Sequence, residues 1–139
     1  MFIIRIWHQS LIPHLPRQQL LGQHREACAL RGAGWGRRHA VVNYVFNYKP
    51  EHLVAYHYLV MDEMERRGYH PDNIWRNANW RGKTLQEQKD WCNQELANEF
   101  YAVAADGGRL YPEHNDAYMQ ECLDNLAGKG IIIDKESLQ

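Results

Sequence analysis

Apolar residues in this chain recur every three or four positions, in stretches closed by proline and glycine, a pattern that fits amphipathic helices far better than the alternation of strands. Pro13 and Pro16 bracket a turn, and Pro16 suits the first turn of a helix because its missing N–H costs nothing there. From Pro16 to Leu30 the residues Leu20, Leu21, His24, Ala27, Cys28 and Arg31 keep helical spacing, with Gly32 as the stop and Gln19, Gln23 and Glu26 on a more polar stripe. A second helix is expected from Pro50, burying Leu53, Tyr56, His57, Val60, Met61 and Met64 and ending at Arg66-Arg67-Gly68. Thr84 with Glu87 reads as a capping box opening a third helix, with Leu85, Trp91, Cys92, Leu96 and Phe100 inward and Gly107-Gly108 beyond its end. The last helix is expected from about Asn115 to Ala127, burying Tyr118, Met119, Cys122, Leu123 and Leu126. Residues 40–48 are compatible with strand or helix, and 69–83 read as a long aromatic, asparagine-rich loop. The expected fold is mainly α, one compact domain of about four helices with long irregular loops, and 139 residues is a single-domain length.

Charge narrows the function. Residues 1–50 hold seven basic residues against one acid, Glu26, for a charge of +6; residues 51–139 hold nine basic and sixteen acidic residues, for −7. Such asymmetry points the first part at an anion, nucleic acid foremost, unless it only pairs with the acidic part of the same molecule. Six of the seven cations are arginines, whose planar fork suits phosphate. The loop Gly-Ala-Gly-Trp-Gly-Arg-Arg-His at 32–39 lacks the Gly-Lys-Ser/Thr ending of a phosphate-binding P-loop, but its glycines admit a close phosphate and Arg37 and Arg38 add charge. No apolar run is long enough to span a membrane, and the opening five residues are too short for a leader's apolar core. Cys28, Cys92 and Cys122 are odd in number and widely spaced, as expected of reduced thiols in a cytoplasmic protein.

The chemistry-bearing residues are few. Eight histidines raise the question of a metal, but no His-Glu-x-x-His or similar pair exists, and His52 and His57 stand five apart on different sides of a helix. No bound metal and no cofactor are expected. His24, among apolar neighbours, reads as a core histidine, and Cys28 as a structural thiol. Glu26 reads two ways: a carboxylate kept ionised by a positive field, able to accept a proton or stabilise a cation, or a plain intrahelical partner for an arginine.

At these residues the sequence resembles the pyrimidine-dimer DNA glycosylases of the phage endonuclease V type. The stretch Leu15-Pro-Arg-Gln-Gln-Leu-Leu-Gly-Gln-His-Arg-Glu-Ala27 is similar to that family's first helix, with its adjacent arginine and glutamate. Gly36 through Gly68 and Tyr111-Pro-Glu-His114 also match, so that about half the chain is covered in order; the opening Arg-x-Trp-His is similar to a bacterial branch. The resemblance implies an endonuclease V-like fold and a DNA repair glycosylase with abasic-site lyase activity. The chain's own α-amine, here Met1, would attack C1′ of a damaged nucleotide through an imine, with Glu26 assisting. An α-amine has a pKa near 8, roughly 2 units below lysine, so it is usefully nucleophilic at neutral pH without a metal. Arg5, Arg25 and Arg31 would contact phosphates, joined by Arg37 and Arg38. The implied partner is double-stranded DNA carrying a damaged or abasic nucleotide, bound by a monomer, with no membrane.

Three departures accompany the resemblance: Met1 lies three residues upstream of the family's reactive amine, Gln19 replaces a histidine, and the chain ends without the family's aromatic tail. Two other readings predict different behaviour. A non-catalytic DNA-binding protein of the same fold would bind without cutting, and a metal-dependent nuclease would lose all cutting in EDTA.

Overall fold

In the computed structural model, which describes residues 5–37 and 41–138, the chain is mainly helical, and no strand occurs among the described residues. After a 3-10 segment over Gln9–His14 come α1 (Arg17–Arg31), a 3-10 segment over Asn43–Asn47, and α2 (Pro50–Arg66). A 3-10 turn over Asn73–Arg76 and the one-turn α3 (Gly82–Leu85) lead to α4 (Gln94–Ala105) and α5 (Asp116–Gly128). The ambiguous stretch at 40–48 thus holds a 3-10 segment over Asn43–Asn47, and no strand among its described residues.

Helix α2 is the centre. It buries Leu53 through Tyr58 without a break, together with Val60, Met61 and Met64, and packs against both α1 and α4. A helix apolar nearly all round is a buried one. Its end follows the glycine rule: Gly68 takes φ +88°, Tyr69 N–H bonds the Met64 carbonyl at 2.9 Å and Gly68 N–H the Glu65 carbonyl at 2.9 Å. α5 begins where expected, the Asn115 side chain accepting the Tyr118 N–H at 2.9 Å.

The third expected helix does not start at Thr84. Leu85 ends the single turn of α3, Gln86 turns the chain back at φ +58°, and Glu87 forms an isolated bridge with Trp80. Asp90, at φ +69°, prevents a helix from continuing, and α4 starts nine residues later than the capping box suggests, with Asn93 accepting the Leu96 N–H at 3.0 Å. Trp91 and Cys92 therefore precede the helix, Cys92 packing in a smaller cluster with Val54, Tyr58, Met61, Ala78 and Ala97. All three thiols are free.

Arg31, expected on a phosphate, is instead completely buried at the end of α1. Its guanidinium donates to the carbonyls of Trp75 (2.8 Å), Asn77 (2.8 Å) and Trp80 (3.2 Å) and to Nδ1 of His57 (2.9 Å), and lies 5.0 Å from the Trp75 ring centroid. Among the described residues no carboxylate bonds it, and burial lowers its pKa to about 10. The reason is geometric: the 75–80 loop turns its carbonyls inward, and a five-donor fork is the side chain that can satisfy several at once. Arg81 returns the favour, donating to the Arg31 carbonyl at 2.7 Å and the Gly32 carbonyl at 3.0 Å, the open end of α1. Replacing Arg31 by Met should leave the inward carbonyls of Trp75 and Trp80 without a donor and destabilise the protein by about 3 kcal/mol or more in urea unfolding. A variant as stable as the parent would contradict this account.

Candidate active site

The site is built where the segment leading into the first 3-10 turn lies along α1. A helix places residues three apart on one flank, and Gln23 and Glu26 share such a flank. Gln23 is buried and makes a two-way clamp: its Oε1 accepts the Trp7 N–H at 2.7 Å, and its Nε2 donates to the Arg5 carbonyl at 2.8 Å. The Tyr56 hydroxyl, from α2, donates to the Trp7 carbonyl at 2.6 Å, and Tyr118, from α5, donates to the carbonyl of Ile6. One turn beyond Gln23, the half-buried Glu26 accepts the Arg5 N–H on Oε2 at 2.9 Å. Gln23 and Glu26, of the expected polar stripe of α1, thus face the N-terminal segment.

Burial raises the Glu26 carboxyl above its ordinary value, against the Arg5 N–H and the charges of Lys129, Arg5 and Arg25, which lower it. The positive field read from the sequence is real, but desolvation outweighs it. A carboxyl so placed is a better proton acceptor than an exposed one.

Tyr111-Pro-Glu-His114 supports the same segment from behind. His114 is buried, its Nδ1 accepts the Gln9 N–H at 3.0 Å, and Nε2 therefore carries the proton and donates to the Tyr44 hydroxyl at 2.8 Å. Burial depresses its pKa to about 3, so it stays neutral.

On the other flank of α1, His24, Cys28 and His57 gather, with their ligand atoms within 4.8 Å of one another. His24 and Cys28 are four apart on α1, and that spacing is the sequence signal for the cluster; the histidine pairs alone do not contain it. Arg31 decides its chemistry. A guanidinium only donates, so Nδ1 of His57 accepts and Nε2 carries the proton, donating to Nδ1 of His24 at 2.8 Å. His24 is then protonated on Nε2, 3.8 Å from the Cys28 sulfur. A metal would have to displace the His57 proton beside a fixed cation, so the group suits a proton-ordered hydrogen-bond chain better than a cation. Burial also pushes the Cys28 thiol up to about 12, consistent with the inert thiol read from the sequence.

A family model described as pyrimidine dimer DNA glycosylase matches residues 4–77, from the residue before Arg5 through α1 and α2 to the Trp75 and Asn77 carbonyls that accept from Arg31. The chain belongs to the pyrimidine dimer DNA glycosylase family. No curated protein and no solved structure matches it. DNA is accordingly its substrate class, and no helix among the described residues is long and apolar enough to cross a membrane.

Within this glycosylase-family fold the expected site residues separate. Glu26 and Arg5 meet directly, Arg25 lies exposed on α1 beside Glu26, and Arg37 is exposed in the loop that follows. Arg31 is turned away into the core. Met1 and Arg38 lie outside the described residues. The residues that sequence reasoning missed are the holders, Gln23, Tyr56, Tyr118 and His114, and Lys129, whose charge lowers the Glu26 carboxyl.

Burial lowers the pKa of five histidines, His8, His24, His52, His57 and His114. Above the ordinary histidine value of 6.5 they are neutral in both folded and unfolded chains and contribute nothing to pH dependence. Below it the unfolded chain takes up protons that the fold refuses, while Glu26 alone acts in the opposite sense. Urea unfolding should therefore show lower stability at pH 5 than at pH 7.5; equal or greater stability at pH 5 would contradict it.

Proposed function

We propose that this chain is a DNA repair glycosylase and abasic-site lyase that works through an α-amine at the start of the chain and the Glu26 carboxylate. The observation that carries the reading is the 2.9 Å bond from the Arg5 backbone N–H to Glu26 Oε2. It ties the segment that follows the chain start to the acid the mechanism needs, and the family match begins one residue before Arg5. A plain intrahelical pairing with Arg25 or a neighbouring arginine accounts for neither fact.

The steps follow from charge and proton bookkeeping. The unprotonated amine attacks C1′ of the damaged nucleotide and the C1′–base bond breaks, the base leaving with its electron pair; the C1′–O4′ bond then breaks, O4′ takes the electron pair and a proton, and the opened sugar is left as an iminium between the amine nitrogen and C1′. The iminium makes the C2′ proton acidic, and the Glu26 carboxylate accepts it. The electron pair released moves to the C2′–C3′ bond as the C3′–oxygen bond breaks, and the strand is cut by β-elimination. Water then hydrolyses the imine and returns the amine. No step calls on a metal. Arg5, Arg25, Arg37 and Arg38 take the phosphates of the opened duplex, and Arg31 holds the scaffold instead. Phosphate contacts of this kind fix register while a nucleotide leaves the stack, at a cost of a few kcal/mol.

The test is strand cutting of duplexes carrying a cyclobutane pyrimidine dimer or an abasic site, in EDTA, by the parent and Glu26→Gln. The parent should cut both, and the variant should lose about 10²-fold or more in rate while still binding the duplex. Binding without cutting by both proteins would leave a DNA-binding protein of this fold, and cutting only in the absence of EDTA would replace the amine with a metal.

A further inference from the structure

The glycine-rich loop after α1 is fastened from outside through Trp35. Its half-buried ring meets Phe46, on the 3-10 segment over Asn43–Asn47, edge-on at 5.1 Å between centroids, and Trp91 edge-on at 5.6 Å. Trp91 is covered in turn by the Arg81 guanidinium, 4.4 Å from its ring centroid. Arg81 has little freedom to leave, because it also donates to the Arg31 and Gly32 carbonyls at the end of α1. Phe46, Trp35, Trp91 and Arg81 thus form one unbroken row. Trp35 and Phe46 pack on the main core and Trp91 on the smaller cluster, so the row also ties the two together. Edge-to-face aromatic pairs and a cation over a tryptophan face are both attractive arrangements.

The loop backbone carries this hold forward. Gly34 N–H bonds the Ala29 carbonyl at 2.9 Å, Trp35 N–H the Gly32 carbonyl at 3.2 Å, and Arg37 N–H the Gly34 carbonyl at 3.1 Å. Gly36, at φ +79°, makes the turn between Trp35 and Arg37 in a conformation that favours glycine. Arg37 therefore leaves the loop two residues beyond a fixed ring. It is exposed, and among the described residues no ion pair holds its guanidinium, so the backbone sets its direction.

We propose that Trp35 is a positioning residue for the DNA phosphate contact of Arg37, with Trp91 and Arg81 as the brace that holds Trp35 in place. The inference rests on the phosphate role proposed for Arg37 above. With the row broken, the loop keeps only its hydrogen bonds to the last turn of α1, and Arg37 has to be ordered at a cost when DNA binds. The family match ends at residue 77, so the brace comes from a part of the chain outside that match.

Trp35 carries no charge, which makes salt dependence the discriminating readout. Affinity of the full chain is measured by fluorescence anisotropy across a salt series, on a duplex carrying a tetrahydrofuran abasic analogue. That analogue lacks the C1′ hydroxyl and forms no imine, so binding is read apart from cutting. Arg37→Ala should weaken binding about eightfold at about 0.1 M salt and flatten the slope of log affinity against log salt by about 0.9, the scale of one phosphate contact. Trp35→Leu should flatten the same slope and weaken binding several-fold, and Trp35→Phe should restore both. The double variant Trp35→Leu/Arg37→Ala should bind no more weakly than Arg37→Ala alone. A Trp35→Leu protein that keeps the parent's slope, or a double variant whose loss is the product of the two single losses, would overturn the proposal. Trp91→Leu leaves the loop sequence untouched and carries the same prediction and the same refutation should Trp35→Leu fail to fold. An Arg37→Ala protein with the parent's slope would remove the phosphate role of Arg37 itself, and this inference with it.

Discussion

Everything at the site depends on Gln23 taking the place of a strand neighbour. A segment of extended backbone beside a helix has inward N–H and C=O groups that the helix backbone, already bonded to itself, cannot satisfy. One carboxamide answers both needs, accepting from Trp7 and donating to Arg5, and Tyr56 and Tyr118 take the carbonyls between and beyond. Leaving a buried backbone group unpaired costs about 1–3 kcal/mol, so these bonds together hold the register of residues 5–7 on α1. Register is what matters functionally, since it sets which backbone amide meets Glu26.

Helix α1 is used on two flanks with opposite chemistry. Gln23 and Glu26 face the N-terminal segment; His24, Cys28 and Arg31 face α2 and the 75–80 loop; the exposed Arg25 and Ala29 lie between. Arg31 is the costlier of the two devices, a buried cation bonded to no carboxylate among the described residues and held by three carbonyls and a neutral imidazole. Its permanent charge orders the protons of His57 and His24, so a group with the look of a ligand cluster is a rigid chain of donors. The same charge gives the 75–80 loop a defined place against α1. The site flank and the scaffold flank are thereby joined through one helix, and the exposed stripe between them is free to meet DNA.

Much of this was legible in the sequence, for identifiable reasons. Helix ends depend on local chemistry, so Pro50, Gly68 and Asn115 mark theirs correctly, and the Gln-His-Arg-Glu run of α1 carries the family. Thr84 and Glu87 mislead because the left-handed turns at Gln86 and Asp90, invisible in a spacing rule, override a correct local signal. Arg31 misleads for another reason: arginine in a basic stretch is ordinarily exposed, and its burial depends on carbonyls 44 to 49 residues away. Gln23 was visible as polar but not as buried. Lys129 was invisible, being 103 residues from Glu26 and within the acidic part of the chain.

The central claim, an α-amine acting beside Glu26, is tested most directly by borohydride reduction of the protein on an abasic-site duplex in EDTA. Mass spectrometry of the cross-linked peptide then identifies the nitrogen that bonded C1′. The account predicts one cross-link, on the α-amine of the first residue of the chain as isolated, whether that residue is Met1 or one nearer Arg5. A cross-link on a lysine side chain, or none from protein that binds the duplex, would contradict it.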